Sequence, residues 1–332
     1  YSYAQKLNQA DRVLGIVKEW TDRLKRTFRA PLGDKCEILM VPTSSEGEIK
    51  EAITFEEAKA DQQQIESIKS KYKESPDPVK EGERLEMLSI AVLNKFLFGE
   101  YFILHASEKD DKVSRDKDPS TGKEKIIGSD LLLVDVKSGE IVAAIDTTVD
   151  DWGGDQYEEK LQKSERQNLN YGGTFIKYGV RITQQKTEQG KKPVMVIEKT
   201  YNVPTFVFGC SRELLNETEA KCENITMDES SERQPENVII YRAGNKEIKF
   251  PTNSSEKKFF MRFCADILTQ LELLDLDLKN SEKTIDQKFK DRMNRLREGL
   301  SKAATQHFDQ QEQEELKTMI DAYVSQRQSK QV

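Results

Sequence analysis

Two aspartates stand at the outer ends of two neighbouring apolar runs, a placement that suits a metal-binding site. The runs, 128–137 and 140–149, are typical of strands, and Lys137-Ser138-Gly139 joins them. A three-residue hairpin loop of this kind ends in a glycine with a left-handed backbone, which costs glycine nothing sterically. The loop predicts one register, with four directly opposed pairs: Val136–Glu140, Val134–Val142, Leu132–Ala144 and Asp130–Asp146.

The predicted Asp130–Asp146 pair sets the chemistry. Opposed residues share a sheet face with β-carbons about 5 Å apart, so two carboxylates there repel each other. A divalent cation removes the repulsion, and Mg²⁺ suits a site of few carboxylates plus waters. Two alternatives stay open: both aspartates lie at solvated strand ends, or a two-residue loop shifts the register so that Asp130 opposes Thr147.

A predicted helix over 156–171 follows the second of these strands. It carries four polar residues at spacings of 3, 4 and 4, which place them on one helical face. They are Lys160, Lys163, Gln167 and Tyr171. We expect this face to overhang the two aspartates, although charges on the other sides of the helix also fit a solvated face.

The order of elements predicts an α/β protein of the α+β type. The predicted core comprises a helix at 79–98, strands at 101–106, 128–137 and 140–149, the helix at 156–171, and strands at 193–198, 205–208 and 238–241. We expect a central mixed sheet of four or more strands flanked by helices, within a core domain at 79–250.

Helical regions precede and follow this core. Residues 1–78 are predicted to be a helical N-terminal region, and 251–332 a C-terminal helical bundle or coiled coil. The C-terminal stripes include Phe259, Phe263 and Ile267. They either pack on the body of the protein or form an arm that binds a protein partner or a second copy.

The order of elements and motifs resembles the PD-(D/E)xK nuclease superfamily. Gly128-Ser-Asp130 is similar to its first carboxylate motif, Asp146-Thr147-Thr148 to its second, and Gln167-Asn-Leu-Asn-Tyr171 to the Q-x-x-x-Y signature of the RecB-type branch. Glu83 or Glu86, on the first core helix, matches an additional acidic residue of some members. The resemblance covers about residues 79–210.

The resemblance implies metal-assisted hydrolysis of phosphodiester bonds in DNA or RNA. Asp130, Asp146 and Glu86 would hold Mg²⁺ or Mn²⁺, Lys163 would lie near the nucleophile, and Gln167 and Tyr171 would position the phosphate. Thr148 departs from the family pattern, which has lysine there. Either Lys160 or Lys163 reaches in from the helix, or the fold is catalytically silent and acts as an interaction or scaffold module through its helical ends.

Composition bounds these hypotheses. The chain has 332 residues and a formal net charge of −7. It has no apolar run of the roughly 20 residues that a membrane span needs, so we expect no membrane contact. The acidic balance does not favour a large nucleic-acid interface, although basic patches occur at 109–125, 186–199 and 283–297. Because the chain starts at Tyr1, we expect it to be a trimmed or excised fragment.

Cysteine usage predicts reduced thiols in a cytoplasmic protein. The four cysteines are widely spaced, no CxxC motif occurs, and two histidines are too few to favour a zinc site. A hydrolase using Cys210 with His105 is a further alternative that no spacing favours.

Overall fold

The computed structural model describes the chain in several stretches. These are residues 81–107, 128–187, 190–222, 237–243, 246–281 and 285–330, with short pieces at 37–38, 60–61, 63–65, 67, 110, 116–117 and 124–125. Most of the predicted N-terminal helical region, 1–78, lies outside the described residues, as does most of the charged segment between the first two core strands.

The described elements follow one another along the chain in this order: β1 (Glu37–Ile38), α1 (Glu81–Phe96), β2 (Tyr101–His105), β3 (Asp116–Lys117), β4 (Glu124–Lys125), β5 (Leu131–Asp135), β6 (Ile141–Thr148), α2 (Asp155–Tyr171), β7 (Thr174–Thr187), β8 (Gly190–Val203), β9 (Thr205–Gly209), α3 (Arg212–Lys221), β10 (Asn237–Ala243), β11 (Lys246–Thr252), α4 (Ser254–Asn280), α5 (Gln287–His307) and α6 (Gln310–Lys330).

A four-stranded mixed sheet forms the centre of the fold, in the order β2-β5-β6-β9. The first two pairings are antiparallel, whereas β6 and β9 are parallel and are connected through α2 and the β7–β8 hairpin. Every residue of β6 is buried, as expected of a central strand covered on both faces. The predicted α+β architecture, with a central mixed sheet flanked by helices, is confirmed.

The two faces of the sheet are covered differently. On one face, Ile103, Leu133 and Ile145 join a large core formed with α1, α4, α5 and α6. On the other face, Leu132 and Ala144 pack against the base of the β7–β8 hairpin, while α2 covers β9. The site described below lies where α2 meets the second face.

Both edges of the sheet are closed by a side-chain amide. Asn94 on α1 accepts from the Ile103 N–H at 2.9 Å and donates to the Ile103 carbonyl at 3.0 Å, along the outer edge of β2. Gln270 on α4 makes the same two bonds to Val207 on β9, at 2.8 and 2.6 Å. Each amide thus stands in for a neighbouring strand and blocks edge-to-edge pairing.

The C-terminal helices pack onto the body of the protein. Phe259, Phe263 and Ile267 of α4 are fully buried, so the predicted apolar stripe faces the core. Helix α6 is tied to α2 by Arg327, whose guanidinium donates to Glu158 and Glu165. In the part of the chain that the structure describes, no helix combines the length and the apolar character needed to cross a membrane.

Candidate functional site

The β5–β6 hairpin brings Asp130 and Asp146 to neighbouring positions. Leu131 pairs with Ile145 and Leu132 with Ala144, and the Asp130 N–H donates to the Ile145 carbonyl at 2.9 Å. This bond shows that the regular pairing ends at Leu131, so Asp130 lies at the end of the hairpin beside Ile145 and is not in the directly opposed pair with Asp146 that the sequence predicted.

The register close to the loop differs from the prediction. Val134 pairs with Ile141 instead of Val142, and the Asp135 N–H bonds to the Glu140 carbonyl, so Val136 does not pair with Glu140. A bulge on β6 absorbs the extra residue and restores the predicted pairing further along. The predicted left-handed glycine is found, since Gly139 has φ of 70°.

Backbone and hydroxyl donors fix the carboxylate of Asp130. The Thr147 N–H and the Thr147 hydroxyl both donate to Oδ2, at 2.6 and 2.8 Å. The Asp146 carboxyl lies close enough to Asp130 for the charge of Asp130 to raise its pKa. Two acidic side chains therefore meet at the sheet, with one of them held in a set orientation.

Lys160 supplies a positive charge beside this pair. Its ammonium donates to Asp146 Oδ1 at 2.5 Å and to the Thr147 carbonyl at 2.5 Å. The side chain of Asp146 is 11% exposed and that of Lys160 is 31% exposed. The contact is thus shielded on the aspartate side and open to solvent on the lysine side.

Helix α2 holds Lys160 in place because both its ends are anchored. At its start, Asp150 Oδ2 accepts from the N–H groups of Gln156 and Tyr157, at 3.0 and 3.2 Å. Further along, the side chains of Ser164 and Asn168 both donate to the Thr205 carbonyl, at 2.6 and 2.8 Å. The helix cannot slide along β9 without breaking these bonds.

The electrostatics of the pair favour added positive charge. Burial, followed by the charge of Asp130, raises the pKa of Asp146 from 3.8 to about 8, and Lys160 opposes this rise. Lys160 therefore compensates only part of the cost of keeping two carboxylates together. A divalent cation binding there would lower that pKa and displace a proton.

Glu86 approaches Asp130 from α1. Burial raises the pKa of Glu86, contact with His105 lowers it, and the charge of Asp130 raises it again. The sequence offered either Glu83 or Glu86 as the additional acidic residue. Of these, Glu86 is the one whose pKa is raised in part by the charge of Asp130.

The other predicted residues of α2 have different surroundings. Lys163 forms an exposed ion pair with Glu159 at 2.6 Å, so the structure places Lys160, and not Lys163, at the carboxylates. Gln167 is buried and donates to the Gly173 carbonyl at 2.9 Å, where it closes the end of the helix. Tyr171 is the last residue of the helix and is partly exposed. Thr148 is buried at the end of β6.

The donor set fits a cation of low protein coordination number. Among the described residues, no three His, Cys, Asp or Glu side chains are grouped closely enough to hold a metal ion. Mg²⁺ is commonly bound by one or two carboxylates and keeps several waters. The Asp130–Asp146 pair meets that requirement, and Glu86 lies beyond the immediate pair.

Burial excludes the thiol alternative. Cys210 is fully buried, and burial raises the pKa of its thiol to about 12. A thiol that stays protonated is a poor nucleophile. His105, the other residue of that alternative, has its Nδ1 3.5 Å from Glu86 Oε2.

Two residues of the site were missed from the sequence. Thr147 looked like a spacer between Asp146 and Thr148, yet its hydroxyl fixes Asp130. The sequence suggested a role for His105 only as a partner of Cys210. Its place beside the pair follows from the β2–β5 pairing, which sets His105 opposite Leu131, the neighbour of Asp130, and no local pattern in the sequence predicts that register.

Comparison of the chain with protein-family models, with curated proteins and with solved structures found no match.

Proposed function

We propose that this protein is a Mg²⁺- or Mn²⁺-dependent phosphodiesterase acting on DNA or RNA, with a site of the PD-(D/E)xK type. The observation that carries the proposal is the meeting of Asp130, Asp146 and Lys160 at one end of the sheet. Paired carboxylates with an adjacent ammonium suit phosphodiester hydrolysis, because the reaction needs a bound cation and stabilisation of charge on the phosphate.

Each side chain has a defined task in this proposal. Asp130 and Asp146 hold the cation, which polarises the phosphate and lowers the pKa of water. Thr147 keeps the Asp130 carboxylate oriented, so that little reorganisation accompanies binding. Lys160 takes the role of the lysine that the family has at the position of Thr148. It stabilises the charge that develops on the phosphate oxygens.

The Lys160–Asp146 contact also favours a second candidate, a catalytically silent fold that serves as an interaction module. In that case Lys160 is a permanent counter-ion and has taken the place of the metal. At 2.5 Å the ammonium is close enough to do so. The two candidates differ in what happens when Mn²⁺ is added.

Hydrolysis of labelled single- and double-stranded DNA and RNA, with Mg²⁺ or Mn²⁺, tests the proposal. We expect cleavage that a chelator abolishes and that falls at least about 100-fold in Lys160→Ala. Lys163→Ala is the matched control, because Lys163 lies one turn away on the same helix and pairs with Glu159. Its activity should equal that of the unaltered protein.

Two results would remove the enzymatic proposal in favour of the silent fold. One is an absence of cleavage of all four substrates with either metal, joined to an absence of Mn²⁺ binding by calorimetry. The other is equal activity of the Lys160→Ala and Lys163→Ala proteins, which would mean that the ammonium beside Asp146 has no part in the reaction.

A further inference from the structure

A contact between Glu86 and His105 stands next to the proposed site. His105 Nδ1 lies 3.5 Å from Glu86 Oε2, and the two side chains are 19% and 20% exposed. His105 ends β2 and pairs with Leu131, the residue that follows Asp130. The contact therefore lies at the end of the sheet where the two aspartates meet.

Rigid elements set the two partners against each other. Glu86 lies eight residues before Asn94 on α1, which is slightly more than two helical turns. The Asn94 amide binds both backbone groups of Ile103, two residues before His105. Helix and strand are thus locked together close to the contact, and neither partner relies on a loop for its position.

Burial and charge explain why Glu86 needs such a partner. Burial is the main cause of the raised pKa of Glu86, hydrogen bonding to His105 lowers that pKa, and the negative charge of Asp130 adds to the rise. Glu86 is partly exposed, so a rotamer change would carry its carboxylate away into water. The His105 imidazole, 3.5 Å from Glu86 Oε2, opposes that change by binding the carboxylate where it lies.

We infer that His105 is a positioning residue that holds the Glu86 carboxylate toward Asp130, so that Glu86 acts on the cation through an intervening water. The inference rests on the function proposed above. It gives Glu86 an outer-sphere role, consistent with its place beyond the Asp130–Asp146 pair. Residues that orient such groups affect metal affinity strongly without touching the ion.

Mn²⁺ affinity measured by titration calorimetry on the full chain tests this role without relying on activity. We expect Glu86→Gln and His105→Ala each to weaken Mn²⁺ binding by about tenfold. In a double variant, His105→Ala should cause no further loss, because its effect passes through Glu86. His105→Gln retains a donor and should keep most of the affinity, whereas a general packing defect would not be rescued.

The outcomes distinguish a failure of the positioning role of His105 from a failure of the proposed function. If Mn²⁺ binds and Asp146→Asn abolishes binding, but His105→Ala and His105→Gln both leave the affinity unchanged, the positioning role is overturned and the proposed function stands. The role is also overturned if His105→Ala weakens binding equally with and without Glu86→Gln. If the unaltered protein binds no Mn²⁺, the proposed function fails and the role of His105 fails with it.

Discussion

Asp146→Asn should make the metal-free protein more stable at alkaline pH, while abolishing metal binding. The substitution removes a charge but keeps the size of the side chain. The pKa of Asp146 is raised from 3.8 to about 8. At roughly 1.4 kcal/mol per pKa unit, the ionised carboxylate costs the folded state at most on the order of 6 kcal/mol.

The measured gain should be smaller than this bound, because Asn leaves the Lys160 ammonium without its carboxylate partner. Losing a hydrogen bond to a charged group costs about 1–3 kcal/mol, so the net gain above pH 8 should be at most about 3–5 kcal/mol. A raised pKa means that the folded state favours the protonated acid. The stability that protonated Asp146 contributes to the folded state is complete below about pH 4 and is lost as the pH rises toward 8. The gain should therefore shrink toward zero at pH 4.5.

Urea denaturation with chelator at pH 4.5 and pH 8.5 measures both values. Asp321→Asn, an exposed position on α6, is the control and should change stability by less than about 0.5 kcal/mol at either pH. Adding Mn²⁺ should stabilise the unaltered protein and leave Asp146→Asn unchanged. A variant that is destabilised at pH 8.5 would refute the reasoning, because ionised Asp146 would then be a stabilising partner of Lys160.

Four further substitutions test the framework around the site, each measured by urea denaturation. Asn94→Ala and Gln270→Ala should each cost about 1–3 kcal/mol and promote self-association by light scattering, since each uncovers a strand edge; unchanged stability would mean that water replaces the amides. Gly299→Ala should destabilise by about 2 kcal/mol although alanine favours helices, because the added β-carbon overlaps the Tyr101 ring; a more stable variant would contradict this packing. Arg327→Ala should cost about 2 kcal/mol by leaving Glu158 and Glu165 without their shared partner, and a neutral result would mean that α6 is held by apolar contacts alone.

The sequence predicted well those elements whose pattern is local. Helix α1, strands β2, β5 and β6, and helix α2 all lie within a few residues of their predicted ranges, because their apolar residues are bounded by glycines or charged segments. Helix α3 was not predicted, since it has few apolar residues. It begins at the Ser211 cap, whose hydroxyl accepts from the Leu214 N–H at 3.2 Å.

Strand β7 was missed although its signal is present in the sequence. Ile176, Tyr178 and Val180 alternate with Lys177, Gly179 and Arg181, as in a strand with one apolar face, and all three apolar residues are buried against the sheet. Polar residues at 183–187 obscured the pattern. These residues continue the strand because they pair with 190–194 across the hairpin, and such pairing cannot be read from one strand alone.

At the candidate site, the hairpin spacing predicted that Asp130 and Asp146 lie at the same end of the sheet, but not which helical lysine approaches them. Lys160 and Lys163 share a face in an ideal helix, so spacing could not choose between them. The hydrogen bonds that anchor α2 on β9 determine which of the two lysines lies at the carboxylates. Tertiary packing at that precision is not encoded in a local pattern.

The same anchors explain how a threonine can stand where the family pattern has lysine. Thr148 follows Asp146 by two positions on β6, so both side chains face the same side of the sheet. Helix α2 packs on that side, and Lys160 reaches down from it to Asp146 Oδ1 and the Thr147 carbonyl. The proposed reaction would require an ammonium near the carboxylates, and a flexible four-carbon side chain can deliver one from either element. For the proposed function, what matters is therefore the position of the charge in space, which the packing of α2 determines, and not the residue type at position 148.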